Sequence, residues 1–249
     1  MARLGHPTCC SFSQSLGFIA CDKSLQNTFA QRQQPQMHDL IDPINHYAER
    51  LSSPEPEALA ALRKDTWQHV LRPQMLSDVI QGRLLSFVSQ WIRPQRILEL
   101  GTYTGYATMC LAEGLRQGGR IDTIEPNDEL NAIQDKHWAH AGLQDQIHRY
   151  NQEAHVVLPQ LKGDYDLIWI DADKARTAAY VDACIPLTKP GGTLLVDNVL
   201  WWGKVLEGEQ SKDPDARRLH QLNQQVLEDP RVDNLILPIR DGIQVLRKR

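Results

Sequence analysis

The chain has no C-x-x-C spacing and no even set of cysteines from which a disulfide framework could be built. Of its five cysteines, Cys9, Cys10 and Cys21 fall in the first 36 residues, while Cys110 and Cys184 stand alone in segments of helical pattern. Such usage fits a reducing compartment, and a cytoplasmic location is expected. No apolar run approaches the roughly 20 residues needed to span a bilayer, so a soluble protein without a membrane partner is expected. Concentrated positive charge is missing as well. The formal net charge is -4 and the only basic run is Arg247, Lys248 and Arg249, which gives no face for nucleic acid. A G-x-G-x-x-G dinucleotide fingerprint and internal repeats are both absent.

What is present is a 249-residue chain, 41% hydrophobic, which is enough for one large α/β domain with a full core. Residues 1–36 differ from the rest: Ser, Gln, Thr and Cys dominate, there is no sustained periodicity, and Asp22 is the single acidic residue. They read as a disordered tail or as sequence upstream of a true start at Met37, with an organellar transit peptide as the alternative. The domain is expected to occupy 37–249.

The domain is organised around RILELGTYTG (Arg96–Gly105), an apolar strand that breaks into a glycine-bearing turn just before a helix. In a parallel sheet such a turn lets backbone approach a nucleotide-like ligand and points free N–H groups at it. Helical patterns precede it: Asp42–Leu51, a segment from Pro54 with acids first and bases later, and Ser77–Trp91. They form an N-terminal helical cap, and the Met75–Gly82 loop reads either as part of that cap or as a cover over the cofactor. After the central turn, a helix from about Tyr106 to Arg116 and further helices alternate with the strands RIDTIE, QIHRY, DLIWI and TLLVD, and a charge-rich loop, Glu207–Asp213, follows. The chain closes with LILPI, the turn Arg240-Asp241-Gly242, and IQVLRKR, a β-hairpin. The expected fold is α/β: a single Rossmann-like, doubly wound, mostly parallel seven-stranded sheet with a C-terminal antiparallel hairpin.

Candidate chemistry collects at the carboxyl ends of the strands. Glu125 ends the second strand, where a carboxylate can accept hydrogen bonds from ribose hydroxyls. Asp171, Asp197 and Asn198 end two others and offer three hard oxygen donors without a Cys or His cluster, a set suited to Mg²⁺, Mn²⁺ or Ca²⁺. Taken singly, each Asp could instead be a helix cap or turn former. Lys174, three residues after Asp171, can lie on the same side of a first helical turn, or be a solvated helix lysine.

ELGTYTGYAT, IDADKARTAAYVDA and GGTLLVDNVLWWGKV, together with DPDARRLHQLNQQVLEDPR and the closing D-G-I hairpin, resemble the class I, S-adenosylmethionine-dependent, cation-dependent O-methyltransferases, the family of caffeoyl-CoA and catechol O-methyltransferases. The resemblance covers about Leu76–Arg249. It implies that Glu99, Gly101, Tyr103, Thr104, Tyr106 and Ala107 shape the methionine end of the cofactor site, with Ser77 in the covering loop. It further implies Glu125 at the ribose, Ala154 and Asp173 near the adenine, and Asp171 touching both cofactor and metal. Asp171, Asp197 and Asn198 match the metal ligands, Lys174 the catalytic base, and Trp201 the tryptophan beside the acceptor pocket, with Trp202 and Met75 as its neighbours.

The sequence departs from the family pattern at Ala107 (usually serine, a hydrogen bond that Thr108 could take up), at Gln152 (usually glycine) and at Trp202 (often small and polar). The last change narrows and dries the acceptor pocket and speaks against acyl-CoA acceptors. The resemblance implies methyl transfer to a hydroxyl of a small catechol-like acceptor, and a homodimer. The rival readings are a metal-free methyltransferase of the same fold, a non-catalytic cofactor-binding partner and, disfavoured by the glycine spacing, a dehydrogenase.

Overall fold

A computed structural model describes residues 37–249, with side chains from residue 43 onward. The reading of residues 1–36 as a tail or leader therefore lies outside the described residues.

Three helices lead in: α1 (Met37–Leu51), α2 (Glu57–His69) and α3 (Val79–Ile92). α3 starts where the Asp78 side chain accepts the Gln81 N–H at 2.8 Å. It ends at Arg93, which is left-handed with φ 52°, immediately before Pro94, a residue that disfavours helix in its predecessor. The helix expected at 77–91 thus starts two residues later and ends one residue later.

The seven strands are β1 (Arg96–Leu100), β2 (Arg120–Ile124), β3 (Ile147–Tyr150), β4 (Tyr165–Ile170), β5 (Thr188–Asp197), β6 (Val232–Leu237) and β7 (Ile243–Lys248). They form one sheet in the order β3-β2-β1-β4-β5-β7-β6. β1 to β5 run parallel, and β7 is antiparallel to both β5 and β6. The expected seven-stranded, doubly wound sheet with a closing hairpin is what the chain forms.

Alternation along the central strands divides the core in two, because successive side chains of a strand point to opposite faces. Leu98, Leu100, Ile168 and Ile170 join α7 (Thr177–Leu187) and α8 (Pro214–Glu228) on one face. Ile97, Leu167 and Trp169 join α2, α3 and α4 (Tyr106–Ala112) on the other. All six residues of β4 are buried, as expected for a central parallel strand covered on both sides. The remaining helices are α5 (Asn131–His140) and the one-turn α6 (Ala154–Val157).

Two elements differ from the sequence expectation. The helix after the central turn stops at Ala112 rather than Arg116, and Gly114 then lies against the Ser89 backbone so closely that a Cβ would come within 2.1 Å of it. The first part of the loop expected at Glu207–Asp213 instead belongs to a run of 3₁₀ turns, Trp201–Gln210, interrupted by left-handed Trp202, Gly203 and Gly208. Among the described residues no helix is long and apolar enough to cross a membrane.

Candidate active site

Parallel strands put their carboxyl ends on one edge of the sheet, so Gly101, Glu125, Asp171 and Asp197, each at or just after the end of β1, β2, β4 or β5, share that edge. A cavity of about 770 Å³ opens there, and all four line it. Gly101 takes φ +91°, and a Cβ on it would sit 1.9 Å from the Asp171 carbonyl oxygen. Only glycine lets the β1 turn close against the end of β4.

One half of the cavity holds the glycine turn and Glu125, groups of the kind that suit a nucleotide-like ligand. The Glu125 carboxylate accepts the Tyr103 N–H at 2.8 Å and the Asn127 N–H at 3.1 Å. Burial raises its pKa against those two donors. Ala154, Asp173 and Tyr180 complete this wall. The Tyr103 hydroxyl donates to the carbonyl of Leu71 at 3.0 Å and lies 3.2 Å from that of Arg72. The covering piece is therefore Leu71–Met75, with Met75 lining the cavity, and it lies upstream of the expected Met75–Gly82 loop. Ser77 is buried and does not line the cavity.

Glu99 is fully buried. Its Oε2 accepts the hydroxyls of Thr108 at 2.5 Å and Thr123 at 2.6 Å, while Oε1 has no partner among the described residues. Burial pushes the carboxyl up to about 7, opposed by the two threonine donors. Glu99, expected at the methionine end of the site, is not among the residues that line the cavity. Thr108, expected as a stand-in for the family serine, is committed to Glu99. Thr104 receives the Thr66 hydroxyl at 3.0 Å, the Tyr106 hydroxyl donates to Glu55 at 2.7 Å, and Ala107 packs in the core. These three support the turn from behind, and the structure does not bring them to the cavity wall.

The other half gathers Asp171, Lys174, Asp197, Asn198, Trp201 and Trp202. Lys174 Nζ donates to Asp171 Oδ1 at 2.8 Å. Burial works against the ammonium, but Asp171, Asp197 and Asp241 outweigh it and hold the lysine above its ordinary pKa. Burial, with Asp171 beside it, raises Asp197. Asp197 Oδ1 accepts the Asn198 N–H at 2.8 Å, and Oδ2 accepts the Gln81 amide at 2.6 Å. Asn198 is left-handed, φ 62°, which turns the chain sharply after β5. Among the described residues no three His, Cys, Asp or Glu side chains are arranged to hold an ion, and the candidate set here is two carboxylates and an amide. Its donors are hard oxygens of the kind that suit Mg²⁺ or Mn²⁺.

Sequence reasoning missed Asp241, Arg240, Asp213 and Gln81. Asp241 is 4% exposed; its Oδ1 accepts the Trp202 N–H, Oδ2 has no partner among the described residues, and burial pushes it up to about 6. The signal for Asp241 was available: a hairpin whose second strand runs antiparallel to β5 must place its turn at the edge where β5 ends. Asp213 accepts the Trp201 indole N–H at 3.0 Å while capping α8 through the N–H groups of Asp215 and Ala216. The wall contributed by Trp201 is thereby pinned to a helix terminus.

A model of the O-methyltransferase family matches residues 49–249. Among curated proteins, the chain is 32% identical over 224 residues to catechol O-methyltransferase domain-containing protein 1 of Mus musculus, covering 88% of this chain and 85% of the relative. It is 32% identical over 204 residues to a catechol O-methyltransferase of Niastella koreensis, covering 80% and 91%, and 31% identical over 205 residues to a caffeoyl-CoA O-methyltransferase of Stellaria longipes, covering 78% and 84%. Among solved structures, it resembles an SAH-bound methyltransferase of Podospora anserina, with a TM-score of 0.76 at 26% identity over 96% of this chain and 100% of that one. An O-methyltransferase from Bacillus cereus in complex with SAH also has a TM-score of 0.76, at 27% identity over 83% and 97%.

Proposed function

Because the chain belongs to the O-methyltransferase family and is an S-adenosylmethionine-dependent enzyme of it, we propose that its acceptor is a small aromatic with two neighbouring hydroxyls and that a divalent cation held by Asp171, Asp197 and Asn198 assists. The observation that carries this reading is the meeting of those three oxygen-bearing side chains with Lys174 in one half of the cavity, beside the half suited to the cofactor. The names of the catechol and caffeoyl-CoA relatives support the acceptor class.

A sulfonium methyl is already activated, so the protein's task is alignment and deprotonation of the acceptor. Gly101 brings backbone close to the methionine end, Glu125 takes the ribose hydroxyls, and Ala154 and Asp173 flank the adenine. Tyr103 closes the Leu71–Met75 segment over them and, with the acceptor seated, excludes water. Trp201, fixed by Asp213, and Trp202 and Met75 wall the acceptor ring. A bound divalent ion would supply Lewis acidity to the two hydroxyls and offset the carboxylate charge. Lys174 is the base placed to take the hydroxyl proton at Nζ, and a cation held by Asp171 and Asp197 would offset the charges that keep it protonated.

The test is turnover of catechol against a monohydroxy analogue, with chelator and with Mg²⁺ or Mn²⁺ restored. Chelator should abolish methylation of catechol and the added ion should return it. Full activity in excess chelator would sink the cation and favour a metal-free enzyme of the same fold. We also propose a cytoplasmic homodimer. Exposed Tyr47 and Leu51 on α1 and Phe87 and Trp91 on α3 support an apolar contact surface, and sedimentation would reveal a monomer if that is wrong.

A further inference from the structure

Gln81 is fully buried and does not line the cavity, yet its side chain reaches a residue that does. Nε2 donates to Asp197 Oδ2 at 2.6 Å, and Oε1 accepts from Arg240 Nη1. Arg240 Nε also meets Asp78 Oδ2 at 2.8 Å, and Asp78 Oδ1 accepts the backbone N–H of Gln81 at 2.8 Å. Asp78, Gln81 and Arg240 thus form a closed ring that ties the start of α3 to the hairpin turn, with one donor projecting from it onto the last residue of β5.

The chemistry of the two neighbours fixes which way the amide points. A guanidinium has only donors and an ionised carboxylate only acceptors, so the Gln81 carbonyl must face Arg240 and its NH₂ must face Asp197. Flipping it would set donor against donor and acceptor against acceptor. Arg240 therefore anchors the carbonyl end of the Gln81 amide and holds its NH₂ in one place against Asp197. Since the other oxygen, Oδ1, is held by the Asn198 N–H at 2.8 Å, both edges of the carboxylate are restrained. Arg240 and Asp78 are each about a quarter to a third exposed, and an ion pair at that exposure adds little to stability. Its effect lies in geometry.

We infer that Arg240, acting through Gln81, is a positioning residue for Asp197 as a cation ligand. This rests on the cation reading above. Groups that orient a metal ligand from behind typically change ion affinity by about 10- to 100-fold when removed. A mere clasp between helix and hairpin would leave ion affinity alone.

The experiment is titration with Mn²⁺ read by electron paramagnetic resonance, alongside calorimetry with S-adenosylmethionine as a check on the fold. Wild type, Gln81→Met, Arg240→Met, Arg240→Lys and Asp197→Ala are compared. Gln81→Met and Arg240→Met should raise the Mn²⁺ Kd by about 10- to 100-fold, far more than either changes cofactor affinity. Arg240→Lys, able to serve one acceptor but not both, should fall between Arg240→Met and wild type. If Gln81→Met loses cofactor binding through misfolding, the two Arg240 variants, altered at a partly exposed side chain, still decide the matter. Wild-type Mn²⁺ affinity in Arg240→Met overturns the inference and leaves the cation site standing. Equal Mn²⁺ binding by wild type and Asp197→Ala, or none by wild type, removes the cation site itself and the inference with it.

Discussion

Replacing Gly101 by alanine tests whether the β1 turn and the end of β4 meet as described. The residue holds φ +91°, and left-handed backbone costs a residue with a Cβ about 1–2 kcal/mol. The new methyl would also lie 1.9 Å from the Asp171 carbonyl oxygen and 2.7 Å from its carbon. These are backbone atoms of the neighbouring strand end, so no side-chain rotation relieves the overlap, and forcing extra volume into such a place costs about 1–3 kcal/mol. The sum is roughly 2–5 kcal/mol, which for a domain of this size lowers Tm by about 4–20 °C. Gly118→Ala is the control, since Gly118 has φ +72° with nothing within 4 Å of the point a Cβ would occupy, and it should show the strain alone, about 1–2 kcal/mol. Differential scanning calorimetry of both variants separates the two contributions. Because the overlap pushes on Asp171 itself, Gly101→Ala should also weaken Mn²⁺ and cofactor binding, which Gly118→Ala should leave intact. If Gly101→Ala melts no lower than Gly118→Ala, the strand ends do not approach as described.

Lys174→Ala should keep cofactor binding yet lose about 10² to 10⁴ in rate, with a smaller loss for catechols whose hydroxyl is already acidic; near wild-type turnover across such a series would make Lys174 a mere partner of Asp171. Asp213→Ala should cost about 1 kcal/mol for the lost cap of α8 and, by freeing Trp201, raise the acceptor KM more than it lowers kcat, as steady-state kinetics would show. Glu99 keeps a proton in the folded state up to about pH 7, against an ordinary value of 4.5. Its contribution is therefore full below about pH 4.5 and is lost as pH rises to 7. In cofactor-free protein, urea unfolding should then show Glu99→Gln gaining on wild type by roughly 3 kcal/mol between pH 4.5 and 8, and a pH-independent difference would contradict the burial of a titrating carboxyl. A chain starting at Met37 should keep both Tm and turnover.

Apolar runs ended by glycine or polar turns, and their alternation with helical segments, made the sheet legible, because each strand carries its own punctuation. The polar residues at strand ends followed from the same logic, and Gly101, Glu125, Asp171, Asp197 and Asn198 all line the cavity. What failed was side-chain direction near the central turn: Tyr106 and Ala107 follow Gly105 on a helix whose first turn faces α2 and α3, a fact set by how the cap packs and not by local pattern. Gln81 and Arg240 were invisible for a different reason. They lie 159 positions apart and become partners only once β7 has inserted between β5 and β6.

The cavity wall carries six acidic side chains, Glu125, Glu153, Asp171, Asp173, Asp197 and Asp241, against three basic ones, Arg72, Lys174 and Arg240. A concave surface of one prevailing sign concentrates field lines and draws in ligands of the opposite sign. S-adenosylmethionine arrives with a net positive charge located at its sulfur, and S-adenosylhomocysteine leaves without it. A cofactor seated as proposed above would be drawn to this wall before transfer and held less tightly afterwards, a difference that salt would weaken.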